Sequence, residues 1–292
     1  MHGFIIFLLL YIVGFPLAAT LGKKYSSVAL KLTIGALSWI VAAGILSFTK
    51  NLASTLFMGI PWLPTAYLPL LMTIPFYLYQ KPTKVWNEIA RDFKPLLMIG
   101  VTAFVLSWIS KPLPSQMFEN QLVTITTSSL SPPYQGVEKR EYPKITNYGA
   151  ELLVSYMGVI THSPSKSYQA IYFLMLVCFL MILLETLEKI KIGWRVMMGL
   201  GLILLTLAAR LVVFGDTLNW LIIIAGWLTQ VQILKMKSVV LGGITLLGLL
   251  SINSGAALWW VIPSLLVIAP YELVLSVGIA ILINPLVVGN IR

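Results

Sequence analysis

Charge is scarce in this chain of 292 residues, of which only 10% are Asp, Glu, Lys or Arg and 58% are hydrophobic. Soluble domains carry about 25% charged residues. A chain this apolar cannot cover its own surface with groups that water solvates, so the composition predicts an integral membrane protein. The chain has 20 basic and 10 acidic residues. In a membrane protein this basic excess sets the orientation of the helices and attracts anionic lipid headgroups, so nucleic acid is excluded as a partner.

Cysteine and histidine are almost absent. The single cysteine, Cys178, lies inside an apolar run, which excludes an intrachain disulfide and indicates a small buried hydrophobe. The two histidines are His2 and His162, too few to build a zinc site, so no metal site is predicted and no cofactor is indicated. No carboxylate falls at the middle of an apolar segment, which argues against a proton- or sodium-coupled pump.

Long apolar runs occupy most of the chain and predict an all-α fold, a polytopic transmembrane helix bundle forming a single membrane domain over 1–292. Each crossing of a bilayer needs about 20 mostly apolar residues. We predict ten helices within a range of eight to ten, with a kinked or re-entrant hairpin as the alternative for the last two segments, which are short and separated by Pro270. The segments are 3–21, 28–48, 56–79, 95–111, 168–187, 194–214, 218–234, 238–253, 256–269 and 271–289.

The basic residues predict that the N-terminus lies outside. Twelve of the 20 Lys and Arg residues fall on one side of the segments, and four of the other eight lie in one long loop. The positive-inside rule makes the richer side cytoplasmic. We expect a multi-pass protein with membrane lipids as partners, and we assume a prokaryotic plasma membrane.

A cytoplasmic linker is predicted at residues 80–95. Trp86, Ile89 and Phe93 recur there at helical spacing, which is typical of a short amphipathic helix lying on the membrane surface. The charged residues are expected largely on another, solvated face: Lys84, Glu88, Arg91 and Asp92.

The only long hydrophilic segment, residues 112–167, is extracytoplasmic on this topology. After Pro143, apolar residues and tyrosines follow a largely helical pattern. The pattern predicts a short helix over 147–160 that lies along the outer interface, with its tyrosines at the level of the headgroups.

Several polar residues that could carry chemistry share the extracytoplasmic side. Arg210 and Asp216 emerge at the end of the sixth segment, where Arg210 can pair locally with Asp216 or bind a lipid phosphate. The loop residues have simple interpretations too, as solvated charges, the polar face of a helix or an exposed turn. These loop residues are Glu138, Glu141, Lys144, Glu151 and His162.

The order of five stretches resembles part of the GT-C superfamily of polytopic glycosyltransferases, over residues 138–221. The stretches are "EYP" (141–143), "NYGAELLVSYMGVI" (147–160), "THSPSKSYQAIYFLMLVCFLMILL" (161–184), "EKIKIGWR" (188–195) and "RLVVFGDTLNWL" (210–221). The loop contains no Asp and follows four helices, which departs from the family pattern and leaves open a divergent or inactive relative.

The resemblance implies transfer of a sugar from a polyprenyl-phosphate-linked donor at the extracytoplasmic face. It implies Glu141 or Glu138 as the catalytic base, because a carboxylate accepts the proton of the acceptor hydroxyl beside the developing sugar cation. By position, five residues are candidates for binding substrate or lipid phosphate: Arg210, Lys144, His162, Asp216 and Glu151.

Other functions stay open. Runs of small residues such as "GLGL" (199–202) and "LGGITLLG" (241–248) suit close helix packing, and they favour a non-catalytic subunit of a larger membrane complex with other membrane chains as partners. A polysaccharide polymerase or ligase of another fold, or a transporter, is a further alternative.

Overall fold

The protein is described by a computed structural model over residues 2–20, 27–56, 68–71, 73–78, 80, 82–116, 118–120, 122, 149–188, 216–235 and 238–252. Within these ranges every regular element is a helix and no strand occurs, so the predicted all-helical class is confirmed there. The helices are α1 (His2–Ala19), α2 (Val28–Leu56), α3 (Leu68–Leu71), α4 (Ile74–Leu78), α5 (Pro82–Ile109), α6 (Gly149–Thr161), α7 (Pro164–Glu188), α8 (Thr217–Lys235) and α9 (Val239–Ile252).

Two helical stretches, Pro82–Ile109 and Pro164–Glu185, are long and apolar enough to cross a membrane by length and composition. Shorter apolar stretches occur in α1, α2, α6, α8 and α9. The predicted segments at 194–214, 256–269 and 271–289 lie outside the described residues.

The range predicted as one segment over 56–79 contains two short helices, α3 and α4, in its described part. Each has a proline at its second residue, Pro69 and Pro75. Proline suits the first turn of a helix, where its missing N–H costs no hydrogen bond, and it prevents a preceding helix from continuing.

α1 and α2 form a tightly crossed pair because a glycine of each helix lies at the crossing. A Cβ atom at Gly14 would overlap the carbonyl oxygen of Lys31, and one at Gly35 would overlap the carbonyl oxygen of Leu10. Small residues at such a crossing let the two backbones approach closely. α6, α7, α8 and α9 pack against α2, and large side chains such as Trp39 are completely buried between them.

α5 corrects the predicted division between a linker at 80–95 and a segment at 95–111. The structure has one continuous helix of 28 residues with Pro95 inside it. Trp86 and Phe93, expected to lie on the membrane surface, are 72% and 64% exposed.

The carboxylates of α5 correct the predicted solvated face of the linker. Glu88 and Asp92 were expected on a solvated face, yet they are buried against the bundle. The interior supplies partners for Asp92, whereas several large apolar side chains, such as Trp86 and Phe93, turn outward. An outward apolar side and partnered, buried charges are compatible with a helix that crosses a membrane.

α6 confirms the position of the helix predicted over 147–160 but corrects its environment. All residues from Gly149 to Gly158 are buried, so this helix does not lie along a surface. Its glycines permit the burial, since a Cβ at Gly149 would come within 2.9 Å of Ile252 Cγ1 and one at Gly158 within 3.0 Å of Pro164 Cα.

Candidate functional site

Asp216 joins three parts of the chain at the start of α8. Its Oδ1 accepts hydrogen bonds from the N–H of Leu218 at 2.8 Å and from the hydroxyl of Tyr168 on α7 at 3.0 Å. Its Oδ2 accepts the N–H of Ser115, beyond the end of α5, at 2.9 Å. Asp216 is therefore an N-cap whose negative charge is stabilised by three donors and by the positive end of the helix dipole.

Glu151 on α6 lies beside the first turn of α8. The side-chain amide of Asn219 donates a hydrogen bond to Glu151 Oε1 at 3.3 Å. The second oxygen, Glu151 Oε2, and the amide oxygen of Asn219 are both buried and have no partner among the described residues. Buried acceptors without donors are rare in native proteins and indicate a ligand, a water or a proton that satisfies them.

The carboxyl group of Glu151 is only 1% exposed. Burial raises its pKa to about 8, and the nearby charge of Asp216 raises it further, while hydrogen bonds from its own backbone and from Asn219 act in the opposite direction. A carboxyl group with this pKa can hold or release a proton near neutral pH.

We name Ser115, Glu151, Tyr168, Asp216 and Asn219 the Asp216 cluster. The Tyr168 hydroxyl donates a hydrogen bond to Asp216, whereas Glu151 and Asn219 each have a buried acceptor oxygen without a partner among the described residues. The cluster can therefore bind a group rich in donors, such as the hydroxyl groups of a sugar, a water or a cation.

The sequence predicted seven candidate residues on the extracytoplasmic side of the membrane. The structure brings two of them, Glu151 and Asp216, into one cluster. His162 is exposed in the turn between α6 and α7, with a φ of 55°, and belongs to no polar contact of the cluster. The remaining candidates lie outside the described residues: Glu138, Glu141, Lys144 and Arg210.

Sequence reasoning did not single out the other members of the cluster. Asp216 directly precedes an apolar run, the typical position of an N-cap. Asn219, three residues later, therefore lies in the first turn at the same end of α8. That spacing was the available signal for Asn219, whereas Tyr168 and Ser115 have no comparable signal.

A second polar group, the Lys31 cluster, consists of Tyr11, Phe15, Lys31 and Asp92 and was missed entirely. Lys31 on α2 forms an ion pair with Asp92 on α5, and neither side chain is more than 4% exposed. Tyr11 on α1 donates a hydrogen bond to the same Asp92 Oδ2 at 2.7 Å. The ring of Phe15 lies 5.0 Å from the Lys31 ammonium, close enough for a cation–π contact.

The sequence did contain a signal for this second cluster. Glu88 and Asp92 continue the helical stripe formed by Val85, Ile89 and Leu96, all of which pack on the core. Two carboxylates within an apolar stripe are best explained by a buried partner on another helix.

No three His, Cys, Asp or Glu side chains come together in a way that could hold a metal ion in the part of the chain that the structure describes. Comparison with models of known protein families, with curated proteins and with solved structures finds no match. The described part of the molecule is therefore classed by its own features, as a helical bundle that includes two stretches long and apolar enough to cross a membrane and contains the buried Asp216 and Lys31 clusters.

Proposed function

We propose that the protein is a multi-pass membrane protein of GT-C type that acts on polyprenyl-phosphate-linked sugars at the extracytoplasmic face, either as a transferase or as a divergent relative. The observation that carries this proposal is the pair of buried, unpaired acceptors, Glu151 Oε2 and Asn219 Oδ1. A sugar presents several hydroxyl donors within a few ångströms of one another, and a site with unpaired acceptors selects for such a ligand.

The proposed side of the membrane follows from the basic residues. With the N-terminus outside and ten crossings, the start of α8 faces the extracytoplasmic side, and the Asp216 cluster lies at that end. The stretches Pro82–Ile109 and Pro164–Glu185, long and apolar enough to cross a membrane, support the membrane location on which this topology depends.

The proposed reaction divides the work between the cluster and the long loop. Glu151 and Asn219 bind hydroxyl groups of the sugar, and Arg210 and Lys144 bind the lipid phosphate. The acceptor oxygen bonds to the anomeric carbon as the bond from that carbon to the phosphate oxygen breaks. The acceptor proton passes to the carboxylate of Glu141 or Glu138, and polyprenyl phosphate leaves.

Binding and transfer are tested separately on purified protein in nanodiscs, with a set of polyprenyl-phosphate sugars as ligands. We expect Glu151→Gln to weaken binding about tenfold or more above pH 8, where the ionised carboxylate offers two acceptor oxygens, because the amide exchanges one of them for a donor. Glu119→Gln is the matched control, since Glu119 is an exposed carboxylate of the described chain. Unchanged binding and transfer in Glu151→Gln would remove the basis of the proposal.

The loop carboxylates require their own variants. Glu141→Gln or Glu138→Gln is expected to abolish transfer while the donor still binds. Full transfer in both single variants and in the double variant would show that neither residue is the base.

A non-catalytic subunit of a membrane complex is the second candidate function. It is favoured by the outward side of α5, where Trp108 and Ile109 are more than three-quarters exposed within the described part of the chain. Large apolar surfaces suit a partner helix as well as lipid. Stoichiometric co-purification with another membrane chain in mild detergent would support this role, and a homogeneous monomer with transfer activity would refute it.

A further inference from the structure

α5 packs mostly against α7, whereas its fewer contacts with α1 and α2 include a buried ion pair. The buried residues of this 28-residue helix are Glu88, Asp92 and Ile99, so two of its three most enclosed side chains are carboxylates. Ile89, on the same stripe, is only partly buried. Before Pro95, α5 therefore presents two buried carboxylates to the bundle beside the partly buried Val85 and Ile89.

Those partners come from α1 and α2. Asp92 Oδ2 accepts hydrogen bonds from the Lys31 ammonium and from the Tyr11 hydroxyl. Both side chains of the Lys31–Asp92 ion pair are buried. Arg91 Nε lies 3.6 Å from the other oxygen of Asp92, but its side chain is 48% exposed and solvent weakens the contact. Removing one member of an enclosed pair leaves an uncompensated charge, which strongly disfavours the docked arrangement.

Pro95 lies three residues after Asp92 and provides a place where α5 can bend. Proline has no N–H to donate to the carbonyl of Arg91 one turn earlier, and its ring crowds that carbonyl. Sharp helix kinks concentrate at proline for this reason. The helix thus has a weak point immediately beyond its charged attachment.

We propose that the Lys31–Asp92 ion pair is a latch that holds residues 82–94 of α5 against α1 and α2, and that this half swings outward about Pro95 when the pair is broken. Opening would uncover a crevice lined by Lys31, Tyr11 and Asp92. The half of α5 beyond Pro95 would stay docked through Ile99. This inference is independent of the proposed sugar-binding function, because it involves none of the residues of the Asp216 cluster.

The test measures the reaction of single cysteines with a water-soluble maleimide on protein in nanodiscs. Cys178, which is completely buried, is first replaced by alanine. A cysteine is then introduced at Ile89, before the hinge, or at Ile99, beyond it. Lys84→Cys, at an exposed position of the same half, provides the rate for a freely accessible thiol.

We expect Asp92→Asn and Lys31→Gln each to accelerate labelling at position 89 by about tenfold or more, since each leaves a charge without its counter-ion. Labelling at position 99 should remain slow in the same variants. Tyr11→Phe, which removes one hydrogen bond but keeps the ion pair, should change labelling at position 89 by less than about fivefold.

Three outcomes would overturn the latch. Unchanged labelling at position 89 in both charge variants would show that the ion pair does not hold this half of the helix. Equal acceleration at positions 89 and 99 would show that the whole helix detaches or unfolds. An effect of Tyr11→Phe as large as that of Asp92→Asn would assign the attachment to the hydrogen bond instead of the ion pair.

Discussion

Replacing Glu151 by glutamine should make the protein more stable at alkaline pH, although it alters a buried polar residue. Burial raises the pKa of Glu151 from 4.5 to about 8 in the folded protein. The folded state therefore binds the proton more tightly than the unfolded state. Stability linked to this group is complete below pH 4.5 and is lost as the pH rises towards 8.

The magnitude follows from the size of the pKa shift. A shift of one unit corresponds to about 1.4 kcal/mol, so the native protein loses up to about 5 kcal/mol from this group between pH 4.5 and pH 8 or above. Glutamine carries no charge at any pH and removes this loss. Its amide can also donate a hydrogen bond to the unpaired oxygen of Asn219.

The assay is thermal unfolding in detergent at pH 5, 7 and 9, with Glu119→Gln as the control for loss of an exposed carboxylate. The Tm of Glu151→Gln should match that of the unaltered protein at pH 5 and exceed it at pH 9 by an amount on the order of 10 °C. A difference in Tm that does not change with pH, or a variant less stable at pH 9, would refute the assignment of a protonated, buried Glu151.

Two further predictions concern packing and capping. Gly14→Ala should lower the free energy of unfolding by about 3 kcal/mol or more, because the added methyl meets the Lys31 carbonyl; Gly100→Ala, with no atom within 4 Å of its Cβ, should be neutral or stabilising by up to about 1 kcal/mol. Asp216→Ala should cost about 2–4 kcal/mol and Tyr168→Phe about 1 kcal/mol, since the first loses every hydrogen bond of the cap and the second loses one. Chemical denaturation of each pair of variants checks both, and equal losses within either pair would contradict the contacts.

The positions of several helices were accessible from the sequence because polar residues bound their apolar runs. The segments predicted at 168–187, 218–234 and 238–253 correspond to α7, α8 and α9, with bounds of Pro164–Glu188, Thr217–Lys235 and Val239–Ile252. Each of these helices can be located from the hydropathy of its own residues, since each run is apolar on nearly every side.

The apolar stripe around the carboxylates of α5 indicates their burial, but hydropathy does not identify the partner that accepts them. Asp92 and Lys31 are 61 residues apart in the chain, and a charge in an amphipathic pattern is expected on the solvated side unless its partner is known. The same limit applies to α6, whose pattern favours an interface although glycines at both ends admit it to the interior.

The candidate site could be predicted from the sequence only in part, because some of its features are local and others depend on packing between distant helices. Asp216 was named because it follows an apolar segment beside Arg210, and its position directly before the next apolar run is the local signal of a cap. The pairing of Glu151 with Asn219 joins positions 68 residues apart, and only the packing of α6 against α8 brings them together.

The crossing of α1 and α2 at Gly14 and Gly35 has a consequence for the order of assembly. The two helices are consecutive in the chain, so this hairpin can form as soon as both have been synthesised, before α5 exists. The Lys31 ammonium then occupies its place in the hairpin without a counter-ion until Asp92 arrives. At that stage the two helices have formed their crossing but the buried charge has no counter-ion, and the arrival of α5 supplies it.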